Sequence, residues 1–182
     1  MGRAESRVYL ERPSARRAAE FLSCVRMSQS LHRPWVKAPH TRDAYLAFLR
    51  RSRLERQASY FVCSSETREL VGVINLNEIV RGLFQSAYAG YYAFAPHAGA
   101  GNMAEGLALV LNEAFGPLGL HRVEANVQPK NESSRRLVSG LGFRLEGLSP
   151  RYLKIGGRWR DHERWAMLAE DWKKRRKSRF AR

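Results

Sequence analysis

A strand end that passes through a glycine turn into a helix, over residues 91–115 (YYAFAPHAGAGNMAEGLALVLNEAF), constrains this chain more than any other stretch. Residues 91–94 are aromatic and apolar, as the buried end of a strand must be. Pro96, Gly99 and Gly101 make the turn. Met103, Leu107, Val110, Leu111 and Phe115 then recur at the 3.6-residue spacing of one helical face. Glu105 falls in the first helical turn, where a carboxylate suits the positive end of the helix dipole. Strand, turn and helix start together aim backbone N–H groups at one point, and such a point binds phosphate. The glycines have two competing readings. They can simply make a turn, or they can be the G-x-G-x-x-A dinucleotide fingerprint, which Gly99 to Ala104 fits and which Glu124 follows at about the expected twenty residues. That fingerprint sits tight against its strand, whereas residues 95–98 intervene here, and Glu124 lies within the next strand pattern. No Lys-Ser/Thr follows the glycines, which argues against a triphosphate loop.

The remaining chain supplies short elements of both periods. Residues 8–10 read as a strand, Ser14 as the N-cap of a helix carrying Ala18, Phe21, Leu22 and Val25, and Thr41 as the cap of a second with Tyr45, Phe48 and Leu49. Residues 60–62 and 70–76 flank a polar turn and read as a hairpin, and residues 88–94 lead into the central turn. Gly116, Pro117 and Gly119 end the central helix. The strand pattern at 123–127 then implies a parallel pair with a right-handed crossover. Asn131 or Ser133 opens a helix that Gly140 and Gly142 stop, residues 143–145 form a strand, and strands 151–155 and 158–168 flank a Gly156-Gly157 hairpin turn. Without repeats or a linker, this is one mixed α/β domain over residues 1–172, followed by a basic tail over 173–182.

Charge and cysteines bound the function. The net charge of +15 is concentrated at the C-terminus, where Lys173, Lys174, Arg175, Arg176, Lys177, Arg179 and Arg182 crowd together, and such a stretch attracts polyanions without reading their sequence. Cys24 and Cys63 lie in apolar patterns with no Cys/His cluster, so they read as buried thiols of a reducing compartment and not as a metal site. No run has the length of a membrane span and no signal peptide is evident, which leads to the expectation of a cytoplasmic protein with no membrane contact.

Four segments, in this order along the chain, resemble the GNAT acetyltransferases, and more narrowly the RimJ/RimL-type ribosomal-protein-alanine N-acetyltransferases. NEIVRGLFQSAYAGYYAF resembles the strand pair ahead of the cofactor loop, and HAGAGNMAEGL resembles the acetyl-CoA pyrophosphate loop and helix. GLHRVEANVQPKNESSRRLVSGLGFRLEG resembles the next strand, the Asn-x-x-Ser helix and the Leu-Gly-Phe segment, and RYLKIGGRWRDHERWAM resembles the closing hairpin. The likeness runs from about Val8 to Trp172. It implies a GNAT-like fold: a central, mostly antiparallel, splayed sheet flanked by helices. It also implies acetyl-CoA as co-substrate, no metal, and direct acetyl transfer through a tetrahedral intermediate to a protein N-terminus, an Ala or Ser of a ribosomal protein. The cofactor-binding positions it implies are Phe94, Ala95, Gly99, Ala100, Gly101, Asn102, Met103, Asn131 and Ser134. Where the family pattern R/Q-x-x-G-x-G/A begins with a side-chain donor, this chain has Pro96, so the backbone donors of Gly99 to Met103 carry the phosphates.

Acetyl transfer to an amine sets three requirements. The amine must lose a proton, which an α-amino group with a pKa of about 7.7–8.0 does far more readily than a lysine at about 10.4. The oxyanion needs donors, which the resemblance places as backbone N–H groups near Phe94 and Ala95. The leaving thiolate needs a proton, for which Ser134 is the candidate and Tyr152 the alternative. Glu78 and Glu124 are the candidate bases, both expected at the border of the splayed sheet, unless water carries the proton. His97 and His121 read as turn residues, and Asp161-His162 as a brace for the hairpin. The same fold also acetylates small amines and antibiotics, and the basic tail fits a ribosome- or RNA-binding protein whose catalysis is secondary or lost. Retained acetyl-CoA binding separates the enzymes from the binding module.

Overall fold

The alternating apolar segments assemble into a seven-stranded sheet of order β1-β2-β3-β4-β5-β7-β6. In this computed structural model residues 6–180 are described, so residues 1–5 of the expected domain, and Arg182 of the expected tail, lie outside them. The strands are β1 (Val8–Glu11), β2 (Ala58–Ser64), β3 (Leu70–Val80), β4 (Ser86–Ala93), β5 (Arg122–Val127), β6 (Arg144–Ile155) and β7 (Arg158–Leu168). The helices are α1 (Ala18–Met27), α2 (Gln29–His32), α3 (Arg42–Arg51), α4 (Asn102–Phe115), α5 (Glu132–Leu141) and α6 (Ala169–Phe180). Every neighbouring pair of strands is antiparallel except β4 and β5, the two joined by the α4 crossover. This is the mixed, mostly antiparallel sheet that the sequence implied.

Helices cover both faces. On one face α4 and α5 bury Leu107, Val110, Leu111 and Val138 against Val62, Ile74, Val123 and Ala125. On the other, α1 and α3 bury Phe21, Tyr45 and Phe48 against Phe61 and Phe94, with the Phe21 ring 4.7 Å from Tyr45 and edge-on to Phe94 at 5.7 Å. Aromatic pairs at such separations add to the apolar area they bury. Helix α4 approaches the sheet closely because Gly106 has no side chain, and a Cβ there would lie 2.7 and 2.8 Å from the Val62 methyls.

The strand pairing also opens the sheet. β4 and β5 pair only from Ser86↔Arg122 to Ala89↔Ala125. Beyond that point β4 stays with β3 as far as Gly72↔Ala93, and β5 stays with β7 as far as Val127↔Glu163. The two strands therefore part, leaving a wedge at the centre of the sheet.

Several local expectations change. Ser14 does not cap α1: its hydroxyl is buried with no partner among the described residues, its carbonyl accepts from the Tyr45 hydroxyl (2.7 Å), and a 3-10 turn over Ala15–Arg17 precedes the helix. Thr41 does cap α3, accepting from the Ala44 N–H at 3.2 Å. Gly140 sits inside α5, which ends instead at Gly142. The segments at 143–145 and 151–155 belong to one strand, β6, interrupted by two register shifts. Pro150 is tolerated there because β6 is an edge strand. Cys24 and Cys63 are buried and free.

The basic stretch read from the sequence as a tail is helical through Phe180. Lys and Arg are good helix formers, Glu170 and Asp171 occupy the first turn of α6, and Trp172 anchors it, buried, with its indole N–H donating to Asn112 Oδ1 at 2.9 Å. Arg175 donates to the Gly140 carbonyl at 2.6 Å. Lys173, Lys174, Arg176 and Lys177 are exposed. No helix among the described residues is long and apolar enough to cross a membrane.

Gly106→Leu should cost about 1–3 kcal/mol, the usual range for forcing methylenes into a packed site. For a chain of this size that lowers the thermal midpoint by several degrees. An unchanged midpoint in a thermal melt would show that α4 can move away from β2 without penalty.

Candidate active site

Backbone alternation decides what faces the wedge. The Phe94 N–H donates to the Val71 carbonyl at 2.8 Å, so Phe94, Tyr92 and Gly90 turn their backbone groups toward β3. Tyr91 and Ala93, the alternate residues, turn theirs toward the opening. The Ala93 carbonyl is taken by His32 Nε2 at 2.8 Å. Burial holds the His32 pKa below its ordinary value, so the ring is neutral and donates from Nε2; its edge also meets the Tyr92 ring at 5.1 Å. The backbone donors expected at Phe94 and Ala95 are both engaged, Phe94 with Val71 and Ala95 with the Ser28 hydroxyl at 2.9 Å. The N–H groups of Tyr91 and Ala93 take their place beside the wedge.

The turn that follows is a 3-10 turn over Ala95–His97, with Pro96 inside it, then Gly99 and Gly101 at φ of 80° and 78°. Those positive angles suit glycine and carry the chain into α4. The first helical bonds run from Ala104 and Glu105 to the Gly101 carbonyl, so the N–H groups of Asn102 and Met103 lie ahead of the first closed turn. A Cβ at Gly99 would meet nothing within 4 Å, which leaves the approach to these donors open. Arg7 adds a cation: its guanidinium donates to the Ala100 carbonyl at 3.0 Å and to Glu105 at 3.0 Å. Burial opposes the charge on Glu105, but hydrogen bonds from Ser6 and Arg7 outweigh it and hold the carboxyl below its usual range. Glu105 is thus a clamp that ties the start of the first strand to the turn, as well as a helix-dipole partner.

A cavity of about 750 Å³ joins the turn to the wedge. Gly99, Gly101, Asn102, Met103, Asn131 and Ser134 of the expected binding residues line it, while Phe94, Ala95 and Ala100 do not. Asn131 caps α5, its Oδ1 accepting from the Ser134 N–H at 3.1 Å. That cap fixes Ser134 in the first turn with its hydroxyl 2.6 Å from the Tyr91 hydroxyl. Burial pushes the Tyr91 pKa up to about 12, so the phenol stays protonated.

The three other catalytic candidates lie elsewhere. Glu78 is exposed, at φ 47° in the irregular end of β3, and does not line the cavity. Glu124 is bound by the Arg122 guanidinium at 2.9 Å, which also grips Glu146, and lies outside the lining. Tyr152 does not itself line the cavity; its ring is 6.3 Å from His162, and its hydrogen bond to the cavity residue Tyr88, with burial, pushes the Tyr88 pKa to about 12. No Asp or Glu lines the cavity at all. His97 lines it from the turn, 3.4 Å from Glu69, and His121 contacts Glu170 at 3.2 Å. Asp161 braces the hairpin by accepting from the Arg151 N–H at 2.8 Å, and the adjacent His162 is buried and reaches the cavity. Arg7, His32 and Tyr91 had no functional signal in the sequence. Only strand pairing and helix docking bring them to the site. Among the described residues no group of three His, Cys, Asp or Glu is gathered to hold a metal.

The acetyltransferase (GNAT) domain family matches residues 7–144. The [ribosomal protein uS5]-alanine N-acetyltransferase of Escherichia coli (strain K12) is 34% identical over 131 residues, covering 71% of this chain and 68% of its own. The solved structure of Mycobacterium smegmatis RimJ in complex with CoA-disulfide superposes with a TM-score of 0.83 at 30% identity, covering 90% of this chain and 83% of its own. A spermidine N-acetyltransferase from Vibrio cholerae, solved with CoA and spermine, shares the fold at 20% identity and a TM-score of 0.78, covering 92% and 99%.

Ser134→Ala should lower turnover by about 10²-fold, the scale of one general acid, with acetyl-CoA affinity little changed. Steady-state kinetics beside calorimetric titration of acetyl-CoA separates the two. Full turnover in the variant would reduce Ser134 to a helix-start residue.

Proposed function

The chain belongs to the GNAT acetyltransferase family, and on that premise we propose that it moves the acetyl group of acetyl-CoA to the α-amino group of a protein N-terminus, an Ala or Ser of a ribosomal protein. It is an N-acetyltransferase, and acetyl-CoA supplies an acetyl group already activated as a thioester. The observation that carries the choice of acceptor is the lining of the cavity: apolar and aromatic side chains, hydroxyls, amides, the imidazoles of His32, His97 and His162 and the guanidinium of Arg136, and no carboxylate. A polyamine or polycationic drug brings several ammonium groups, and burying them without acidic partners costs far more than such a cavity returns. One weakly basic amine on a short peptide brings no such demand.

Each residue then has a chemical task. The N–H groups of Asn102 and Met103, with Arg7 alongside, suit a pyrophosphate. The N–H groups of Tyr91 and Ala93 suit the carbonyl oxygen as it becomes an oxyanion. The amine nitrogen forms the new C–N bond and the C–S bond breaks. The amine's extra proton passes to water, because an α-amino group needs no dedicated base near pH 8. The Ser134 hydroxyl gives its proton to the departing sulfur and is resupplied through Tyr91, at 2.6 Å.

Helix α6 supports a ribosomal setting in the cytoplasm. Its exposed Lys173, Lys174, Arg176 and Lys177 offer a dense cationic surface beyond the Trp172 anchor, suited to ribosomal RNA. A contact of that kind raises the local concentration of enzyme near the N-termini it modifies.

With labelled acetyl-CoA, short peptides beginning with Ala or Ser should be acetylated at the N-terminus, and spermidine should show a kcat/KM at least about a hundredfold lower. A preference for spermidine would overturn the reading. Changing Lys173, Lys174, Arg176 and Lys177 to Gln, with Arg175 kept for its bond to Gly140, should leave peptide turnover intact while weakening ribosome binding. The salt dependence of that binding should also flatten. Equal binding at every salt concentration would leave α6 as a solvated helix.

A further inference from the structure

One cavity residue has a buried polar atom with nothing to bind. Asn126 of β5 lines the cavity, and its side-chain Oδ1 is buried with no hydrogen-bond partner among the described residues. An amide oxygen left in that state keeps its desolvation penalty uncompensated, and native structures satisfy nearly all such groups. An unpaired acceptor on a side chain that lines a cavity is suited to a donor that arrives with a ligand.

The surroundings define that donor. Val123, Ala125 and Val127 of β5 point into the core beneath α4, so Asn126 lies on the opposite face of the sheet. There it pairs in register with Arg164 of β7, and Tyr88 and Gly90 of β4 share its face. Gly90 keeps the space open, since a Cβ there would meet Asn77 Nδ2 at 3.1 Å. The Tyr88 phenol, engaged with Tyr152, stays protonated, and Glu124 on the same strand is neutralised by Arg122. The cavity lining around Asn126 thus offers an uncharged acceptor and no carboxylate, with Arg164 beside it and Glu124, outside the lining, held by Arg122. An ammonium is poorly served there, whereas a neutral amine N–H is well served.

We propose that Asn126 Oδ1 receives an N–H of the attacking amine, orienting its lone pair and favouring α-amino groups over more basic amines. This rests on the acceptor reading given above. A neutral amine with one N–H held by Asn126 keeps its lone pair free to form the C–N bond. A carboxylate at the same place would hold the ammonium, whose lone pair is occupied by a proton. The reaction uses only the unprotonated amine, and a neutral acceptor, unlike a carboxylate, does not hold the amine protonated; near neutral pH the unprotonated fraction is several hundredfold larger for an α-amino group at about 7.7–8.0 than for lysine at about 10.4. Asn126 thus acts as a specificity residue by remaining uncharged.

The test compares the wild type with Asn126→Ala and the nearly isosteric Asn126→Asp. Acceptors are an Ala-starting peptide without lysine and an N-terminally blocked peptide with one lysine. Acetyl-CoA affinity and thermal midpoint are measured in parallel. For Asn126→Ala, the KM for the Ala-starting peptide should rise about tenfold or more, with acetyl-CoA affinity unchanged. For Asn126→Asp, the preference for the α-amino peptide over the lysine peptide should shrink. An unchanged peptide KM in Asn126→Ala overturns the proposal. So does a loss confined to acetyl-CoA affinity, which would make the cofactor's own amides the donor. If the wild type ignores the Ala-starting peptide, the acceptor reading fails by itself. The same KM comparison on the amine it does use, spermidine included, then decides Asn126.

Discussion

The separation of β4 from β5 is the constraint on which the rest of this structure depends. β4 follows β3 and β5 follows β7, so the two central strands share hydrogen bonds only as far as Ala89↔Ala125. Past that point the ladder no longer consumes the backbone groups of Tyr91 and Ala93, and a gap opens in what would otherwise be a closed sheet. A gap in a sheet exposes amides that are already oriented and rigid, so they stabilise developing charge without reorganising. Stability is maintained around it by the aromatic cluster of Phe21, Tyr45, Phe48, Phe61 and Phe94 on one face and the α4 packing on the other.

The helix that crosses from β4 to β5 puts its own N-terminus at one end of that gap. The amides at the start of α4, the Tyr91–Ser134 hydroxyl pair and the neutral His32 are consequently held by different elements that meet at a single cavity. The clamp of Glu105 on Ser6 and Arg7 also fixes a guanidinium beside the turn, where the family pattern has Arg or Gln and this chain has Pro96.

Charge is sorted across the molecule. Carboxylates near the site are paired with arginines, as Glu124 and Glu146 both are with Arg122, and none lines the cavity. The large positive excess is carried on outer surfaces such as α6. A chain with a net charge of +15 can therefore hold an uncharged acceptor site. Net charge describes partners at long range, while the cavity lining describes the ligand at contact.

The sequence by itself determined the strand–turn–helix unit with its glycine turn, the Thr41 cap, a helix start at Asn131 or Ser133 and the closing hairpin. Each is set by periodicity or by turn chemistry within a few residues, where local sterics and hydrogen bonding decide. The resemblance to a known family came from those same local patterns in order. Tertiary structure alone decided which side chains reach the site. Glu78 and Glu124 looked like bases because they are acidic and near the right strands, but a register irregularity turned one outward and Arg122 captured the other. Arg7 with Glu105, His32 with Ala93, Tyr91 with Ser134 and Trp172 with Asn112 are contacts between residues far apart in the chain. Nothing local encodes such contacts, because they exist only once the pairing register and helix docking have been fixed. The burial of Asn126 Oδ1 belongs with them: strand alternation assigns its face, and the parting of two strands makes that face a binding site.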